Sequence, residues 1–447
     1  MRFGTDGVRG LANAELTPEL TLRIGRAAGA VLGGERFLVG RDTRRSGAML
    51  EAALAAGVCS TGADVELLGE LPTPALATIA ALDGCAGAMI SASHNPFADN
   101  GIKLFAPGGR KLSDHLQGRI EAVMDELQAG GGESPSVRRP TGSGVGVISH
   151  AEGRATARYE DVLVAALEGR RLEGLRVVLD CGHGAASDIA GEVFARCGAD
   201  TMVIGDVPDG LNINEGVGST DTALLRTAVR AAGADVGFAF DGDADRVIAV
   251  DGTGAEIDGD HLIVLCAVDL RERGRLRNDA VAVTVMSNLG LHRAMTGAGI
   301  EVVTTAVGDR YLLEAIDARG LSLGGEQSGH IIFSDVATTG DGLLSALVVS
   351  DLLVRSGRSM GELAASAMTR FPQVLLNVAV ERRSPEILEA ITAEVEAVEA
   401  ELGAEGRVLV RPSGTEPIVR VMVEAGTAEA ARVAAERLAL AVRSAAG

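Results

Sequence analysis

Three carboxylates stand at alternate positions in Phe240-Asp241-Gly242-Asp243-Ala244-Asp245-Arg246, directly after an apolar run. On a flat strand alternate side chains lie roughly 6.6 Å apart, too far for three oxygens to meet one small cation at about 2.0 to 2.1 Å. The segment is therefore expected to curl into a loop, with Gly242 permitting the curl. Carboxylates this close repel one another unless a divalent cation sits among them, and hard oxygen ligands favour Mg2+. An EF-hand is excluded, because its sixth position needs Gly and its twelfth Glu, where this chain has Arg246 and Gly252. A solvated acidic turn is the bland alternative, and the strand-like run from Val247 to Val250 that follows at once speaks against it.

Four other segments carry candidate chemistry. Ile90-Ser91-Ala92-Ser93-His94-Asn95-Pro96 is a small-residue loop after an apolar run, and its Asn-Pro turn chemistry would expose a serine at a strand's C-terminal edge. The acyl-enzyme pattern Gly-x-Ser-x-Gly is absent, and standing alone the loop reads as a turn with capping hydroxyls. Arg411-Pro412-Ser413-Gly414-Thr415-Glu416-Pro417, with Arg420 close behind, offers the hydroxyls, flexible glycine and guanidiniums that a phosphate monoester needs; its alternative is an ordinary hairpin turn. In Gly325-Glu326-Gln327-Ser328-Gly329-His330, Glu326 and Ser328 could grip vicinal sugar hydroxyls, while His330 alone reads as a plain loop histidine. Gly4-Thr5-Asp6-Gly7-Val8-Arg9-Gly10 reads on its own as an N-terminal turn.

Short apolar runs alternating with Ala-rich helical patterns must position these loops. Strands at 36–40, 64–68, 86–90 and 102–105, with a helical stretch to Val58 and a helix at 114–127, set a βαβ rhythm, and a Gly/Ser/Pro-rich stretch from Ala129 to Gly146 marks a first boundary. After a helix at 152–167, a second unit is predicted with strands at 175–180, 200–204 and 236–240 and helices at 186–196 and 223–232. A third has strands at 281–285, 301–305 and 331–333 and helices at 260–272, 289–298, 309–318 and 342–354. From Gln373 the pattern changes to a strand at 374–380, one long helix at 385–402, two strands around Val408 and Val419, and a last helix at 428–443: a small α+β unit. The expected domains are 1–150, 151–250, 251–367 and 368–447, with no tight sequence repeat. A site where loops after several strands converge follows from this plan.

Composition narrows the partners. Of 447 residues 47% are hydrophobic and 2% aromatic, and the formal charge is −20, which argues against nucleic acid and leaves little material for stacking on bases or sugar faces. Only Lys103 and Lys111 among the 41 Lys and Arg residues are lysine. The five cysteines are odd in number and scattered, as reduced core thiols in a cytoplasmic protein would be. The N-terminal residues hold no apolar core segment, and the longest apolar stretches fall well below the roughly 18 residues of a membrane span, so no membrane partner is expected.

Taken together and in order, Ser93-His94-Asn95-Pro96, Asp241-Gly-Asp243-Ala-Asp245-Arg246, Gly325-Glu326-Gln327-Ser328-Gly329-His330 and Arg411-Pro-Ser413-Gly414-Thr415 resemble the α-D-phosphohexomutase superfamily over nearly the whole chain. Within it, the chain looks most similar to the branch acting on glucosamine phosphates. Gln327 stands where phosphomannomutase/phosphoglucomutase relatives usually carry Met, and Val307-Gly308-Asp309-Arg310-Tyr311 looks like that branch's third-domain loop. Asp180-Cys181-Gly182-His183-Gly184-Ala185 departs from the pattern, which more often reads Ala-Asn at Gly182-His183.

The resemblance implies an α/β protein of three similar α/β/α domains with mixed sheets and a smaller C-terminal α+β domain around a central cleft, the last domain closing over substrate. It implies a cytoplasmic isomerase that interconverts glucosamine 6-phosphate and glucosamine 1-phosphate through phosphorylated Ser93 and glucosamine 1,6-bisphosphate as intermediate and primer, feeding UDP-N-acetylglucosamine and cell-wall synthesis. By the same resemblance Ser93, Asp241, Asp243 and Asp245 hold one Mg2+, Glu326 and Ser328 contact the sugar, and Arg411, Ser413, Gly414, Thr415 and Arg420 hold the substrate's own phosphate. Lys103, Arg9, His94 and His330 are candidates for electrostatic or acid/base work, with Arg246 behind the metal ligands; Arg9 and Lys103 also read as surface charges. A phosphoserine of about −1.5 to −2 charge beside three carboxylates would be untenable without a cation. The competing functions are phosphoglucomutase/phosphomannomutase activity, an aspartate-nucleophile phosphatase using Asp241 and Asp243, and a non-catalytic sugar-phosphate sensor. The oligomeric state stays open, a homodimer being one option.

Overall fold

A computed structural model describes residues 3–4, 7–380, 385–412 and 417–446. Among the described residues the backbone forms four sheets. In the first, the strands run in the order Val8–Leu11, Asp99–Ala106, Ala86–Ile90, Arg36–Arg41, Asp64–Glu70, Ile148–His150, with Arg110–Lys111 beside Asp99–Ala106. Arg36–Arg41 pairs in parallel with both Asp64–Glu70 and Ala86–Ile90, whereas Asp99–Ala106 is antiparallel to Ala86–Ile90. The second sheet has the order Glu256–Ile257, Val247–Asp251, Val236–Phe240, Arg176–Asp180, Asp200–Ile204. The third runs Glu301–Thr305, Ala280–Thr284, Leu323–Gly325, Ile331–Phe333. The fourth is antiparallel, with Ile418–Ala425 between Gln373–Ala379 and Gly406–Pro412.

The central strands Ala86–Ile90, Val236–Phe240 and Ala280–Thr284 are buried along their whole length. That is why they read as apolar runs: a strand in the middle of a mixed sheet, paired on both sides and covered on its faces, has no polar face to show. Some of the helices start on side-chain caps. Thr17, Asp258, Asn288 and Asp341 each accept a first-turn N–H, which satisfies a donor the helix itself leaves open.

One construction recurs. In each of the first three sheets a central strand ends, a polar loop follows, and the chain returns as an antiparallel neighbour: Ala86–Ile90 into Asp99–Ala106, Val236–Phe240 into Val247–Asp251, and Leu323–Gly325 into Ile331–Phe333. The three loops are those that carry Ser93, the aspartates and Glu326.

Contacts divide the chain into two compact units, residues 1–286 with 300–365, and residues 287–299 with 366–447. The helix Leu289–Gly297, inside the third segment by chain order, thus groups with the C-terminal residues. Its hold there is Glu424, fully buried, which accepts from Asn288 Nδ2 at 3.1 Å, Leu289 N at 3.0 Å and Gln373 Nε2 at 2.9 Å and pairs with Arg407 Nε at 3.0 Å.

Several elements differ from the sequence pattern, which lacks the helices Pro18–Leu32, Thr73–Asp83 and Met360–Ala367. The expected helix over 385–402 divides into Pro385–Ala390 and Thr392–Leu402, with Ile391 at φ −101°, ψ 1°. There Thr392 Oγ1 donates back to Leu388 O at 3.0 Å, a bond that competes with the helical ladder. The helix expected from Ala186 begins at Ala190, the segment before it being spent on turns, one of which sends Ala185 N to Gly242 O at 2.8 Å. Leu323–Gly325 forms a strand too short and glycine-rich to show as an apolar run. Among the described residues no helix is long and apolar enough to cross a membrane.

Candidate active site

The aspartate loop does curl, but Gly242 is not the residue that turns it. Ala244 takes the left-handed conformation, at φ 55°. Gly242 is needed for space instead, since a Cβ there would lie 2.6 Å from Ile213 Cδ1 and 2.7 Å from Ser93 O. The curl brings one carboxylate oxygen from each of Asp241, Asp243 and Asp245 within 4.8 Å of one another, all three residues buried. Asp243 Oδ2 is occupied, accepting from Thr73 Oγ1 at 2.5 Å and Lys103 Nζ at 2.7 Å; Asp245 Oδ2 lies 3.2 Å from the same Nζ. Asp243 Oδ1 and Asp245 Oδ1 are buried with no hydrogen-bond partner. Orphaned carboxylate oxygens facing a cluster of like charge cost several kcal/mol unless something positive meets them, so this donor set fits a hard divalent cation. Burial and the neighbouring Asp245 and Asp243 push the Asp241 carboxyl well up, while Asp245 is held well down, against the cost of burial, by Lys103, His330 and Arg246.

The serine loop meets this cluster directly. Ser93, 1% exposed, donates from Oγ to Asp241 Oδ2 at 2.5 Å. Its φ is +53°, a left-handed conformation that a non-glycine residue keeps only when its surroundings enforce it. The enforcement comes from below. Arg44, 1% exposed, donates to the carbonyl oxygens of Ser93 (2.8 Å), Asn95 (2.8 Å), Asp99 (3.0 Å) and Pro96, and its Nε pairs with Asp42 Oδ2 at 2.9 Å. Ser91 Oγ donates to Asp42 Oδ2 at 2.6 Å and accepts from Ser93 N at 2.9 Å, while Asn214 Nδ2 donates to Ser93 O at 3.0 Å. Even with Arg44 beside it, burial pushes the Asp42 carboxyl upward.

Around these two loops lie the other charged candidates. Lys103 is 2% exposed and ion-paired to Asp243 and Asp245, so the surface reading fails for it. His94 Nδ1 is 3.3 Å from Ser93 Oγ and 3.3 Å from an Arg246 terminal nitrogen. Burial, Arg246 and Arg9 depress its pKa to about 4, so the ring is neutral. His330 is buried; burial opposes its protonation, but Asp245, Asp309 and Glu326 together raise its pKa. Its Nδ1 is 3.7 Å from Asp245 Oδ1. A cavity of about 450 Å³ opens here, lined by Arg9, Asp245, Arg246, Asp309, Glu326 and His330 among others.

The third loop is tied to the second. Val247 N donates to Gly329 O at 3.1 Å, and a Cβ on Gly329, at φ +88°, would stand 2.0 Å from Val247 O. Glu326 accepts from Gly308 N at 3.3 Å and from Ser328 Oγ at 3.2 Å. Gln327 Nε2 turns toward Asp258 Oδ2, at 3.5 Å.

In the C-terminal unit Arg411 and Arg420 face each other across neighbouring strands. Like charges directly opposite are unfavourable in a sheet, and burial together with Arg420 lowers the Arg411 pKa. Ser413, Gly414 and Thr415 lie outside the described residues.

Sequence reasoning passed over Arg44, Asp42, Thr73 and Asn214. Asp42 and Arg44 have a local signal in the run Arg41-Asp42-Thr43-Arg44 at the end of the strand Arg36–Arg41, a position where loops bear function in such sheets; Thr73 and Asn214 have none. The departure at His183 has a structural role as well. It is left-handed at φ 50°, its carbonyl accepts from Thr43 Oγ1 at 2.7 Å, and the turn it opens supplies the Ala185 N–H to Gly242.

Comparison with known proteins covers the whole chain. Sequence profiles described as phosphoglucomutase/phosphomannomutase match in four parts: alpha/beta/alpha domain I at residues 1–130, domain II at 157–254, domain III at 258–371, and the C-terminal domain at 375–441. A phosphoglucosamine mutase from Streptomyces avermitilis is 53% identical over 456 residues, covering 100% of this chain and 99% of the relative. One from Rhodococcus opacus is 52% identical over 454 residues, with 99% of each covered. The crystal structure of a phosphoglucomutase/phosphomannomutase family protein from Burkholderia thailandensis shares the fold, with a TM-score of 0.80 at 24% identity over 99% of this chain and 97% of that one. So does N-acetylphosphoglucosamine mutase from Aspergillus fumigatus, solved with GlcNAc-6P and magnesium, with a TM-score of 0.70 at 19% identity over 100% of this chain and 96% of that one.

Proposed function

The chain belongs to the phosphoglucomutase/phosphomannomutase family, the α-D-phosphohexomutases, and from that premise we propose that it interconverts glucosamine 6-phosphate and glucosamine 1-phosphate. It is an isomerase. The observation that carries the mechanism is the Ser93 hydroxyl on Asp241 Oδ2 at 2.5 Å, beside a buried cluster of three carboxylates. Ser93 holds a phosphoryl group in the working enzyme. A free hydroxyl of the bound sugar phosphate attacks phosphorus, the bond to Ser93 Oγ breaks, and glucosamine 1,6-bisphosphate forms. The bisphosphate turns end for end, its other phosphoryl group returns to Ser93 Oγ, and the isomeric monophosphate leaves.

Asp241, Asp243 and Asp245, with an oxygen of the phosphorylated Ser93, would hold Mg2+, which when bound supplies positive charge to the transferring group. The chain's own residues do the rest. Lys103, held as an ammonium between Asp243 and Asp245, offsets part of the negative charge gathered around Ser93. His94 Nδ1, 3.3 Å from Ser93 Oγ, is in reach to exchange a proton with that hydroxyl as the phosphoryl group leaves and returns. Arg9, Arg246 and His330 line the cavity and orient the anionic groups within it, and Glu326 and Ser328 hold sugar hydroxyls. Arg411 and Arg420, with Ser413, Gly414 and Thr415, take the phosphate that is not reacting.

Turnover of glucosamine 1-phosphate, glucose 1-phosphate and mannose 1-phosphate with a bisphosphate primer tests this reading, alongside intact mass of the purified protein. The expected outcome is a preference for the amino sugar and one phosphoryl group on Ser93, with Ser93→Ala losing at least about three orders of magnitude in rate. Equal or better mannose turnover would refute the substrate. Free phosphate release without isomerisation would refute the mutase reaction.

A further inference from the structure

A mutase for glucosamine phosphates must recognise a zwitterion, with a phosphate at one position and an ammonium on C2. The three loops account for phosphate, metal and hydroxyls and leave the ammonium without a partner. Gln327, the residue that marks the glucosamine branch in the sequence, turns its side chain to Asp258 instead. Of the two carboxylates that the third sheet brings to the cavity, Glu326 is the one given to sugar hydroxyls above, and its oxygens already accept from Gly308 N and Ser328 Oγ. The other is Asp309, first residue of the helix Asp309–Arg319 and 9% exposed. Its Oδ2 is paired with Lys111 Nζ and lies 3.8 Å from His330 Nε2, while its Oδ1 is buried without a hydrogen-bond partner.

This is the arrangement found at the metal ligands. Lys103 engages Oδ2 of Asp243 and of Asp245 and leaves each Oδ1 without a hydrogen bond, though His330 Nδ1 lies 3.7 Å from that of Asp245. The chain's two lysines therefore do the same thing in two places: each neutralises one side of a buried carboxylate and leaves the other oxygen for a cation from outside. A single carboxylate does not supply the ligand set of Mg2+, but it suits an ammonium, which needs one charge-assisted acceptor.

We propose that Asp309 is the residue that selects the amino sugar, its Oδ1 accepting a hydrogen bond from the substrate's C2 ammonium, with Lys111 as the positioning residue that fixes the carboxylate. The inference rests on the glucosamine reading above. A hydroxyl at C2 can also donate to Asp309, so what distinguishes the amine is its charge, and a charge-assisted bond is roughly twice as strong as one with a neutral donor.

The test compares kcat/KM for glucosamine 1-phosphate and glucose 1-phosphate in the full-length enzyme, its Asp309→Asn variant, and the double variant Asp309→Asn, Lys111→Gln, which does not strand a buried lysine charge. The ratio of the two constants is expected to fall about tenfold or more in both variants. A general loss of folding or of active-site geometry lowers both rates and leaves the ratio in place, so an unchanged ratio overturns the assignment. A wild-type enzyme with no preference for the amino sugar would overturn the functional reading and this inference with it. A wild-type preference that survives Asp309→Asn overturns this inference alone.

Discussion

The serine loop and the aspartate loop are built alike and held differently. Each joins a central buried strand to its antiparallel neighbour, and each turns on a left-handed non-glycine residue, Ser93 at φ 53° and Ala244 at φ 55°. Beneath the serine loop, Arg44 satisfies four carbonyl oxygens and a carboxylate, so the loop carries its own counter-charge. In the aspartate loop, Lys103 answers only part of three negative charges, and two carboxylate oxygens remain without a hydrogen bond. The first loop is complete as folded. The second has an acidic cluster that fits a cation, and the Ser93 hydroxyl sits where the two meet, on Asp241. On the proposed reading, building one half rigid and leaving the other electrostatically open would fix the nucleophile while keeping room for a charge that comes and goes.

The largest consequence of this difference concerns Arg44. Replacing it with methionine leaves Asp42 buried without its partner and frees the carbonyls around Ser93, and breaking a buried pair in this way costs about 3 to 5 kcal/mol. Urea unfolding should show that loss with and without Mg2+, and the milder Arg44→Lys should fold and retain part of the lost activity. A loss under about 1 kcal/mol, or full rescue by Mg2+, would mean that the serine loop does not depend on the clamp. Next in size is the cation itself. At a hundredfold excess over its Kd, Mg2+ should stabilise the protein by about 2.7 kcal/mol, read as a rise in Tm over the chelated sample. Asp243→Asn should abolish most of that rise, and a Tm indifferent to Mg2+ at every concentration would contradict an open aspartate loop. The smallest effect is at Ala244. Glycine there relieves a left-handed strain of about 1 to 2 kcal/mol but loses a buried methyl and adds freedom to the unfolded chain, so the net change should stay within about 1 kcal/mol. Ala239→Gly, in the strand just before, has no strain to relieve and should cost more; equal losses at the two positions would show that Ala244 is not strained.

Much of the site was legible because its chemistry is contiguous. Asp241, Asp243 and Asp245 announce a cation by spacing alone, and Ser93 and Glu326 stand in loops whose composition marks them as turns after strands. What holds those residues could not be read along the chain. Arg44 meets the Ser93 carbonyl across 49 positions, Asn214 meets it across 121, and Thr73 reaches Asp243 across 170. Lys103 looked equally like a surface charge until the order of the first sheet placed it against the second loop, 140 residues from Asp243. The expectation that Gly242 turns the aspartate loop failed for a related reason: glycine was needed for the approach of Ile213 and Ser93 from elsewhere in the chain, not for local backbone freedom.

By itself, then, the sequence determined the alternation of strands and helices, the family, and which short segments carry candidate chemistry, since each depends on residues a few positions apart. Only the tertiary structure decided that the serine, aspartate and sugar loops are three copies of one hairpin construction without any tight repeat in sequence, because the repeat lies in strand order and not in residue identity. Only the tertiary structure decided, too, where the two lysines go. Each must find a buried carboxylate supplied by a different sheet, Asp243 and Asp245 for Lys103 and Asp309 for Lys111, and that pairing is set by how the sheets pack.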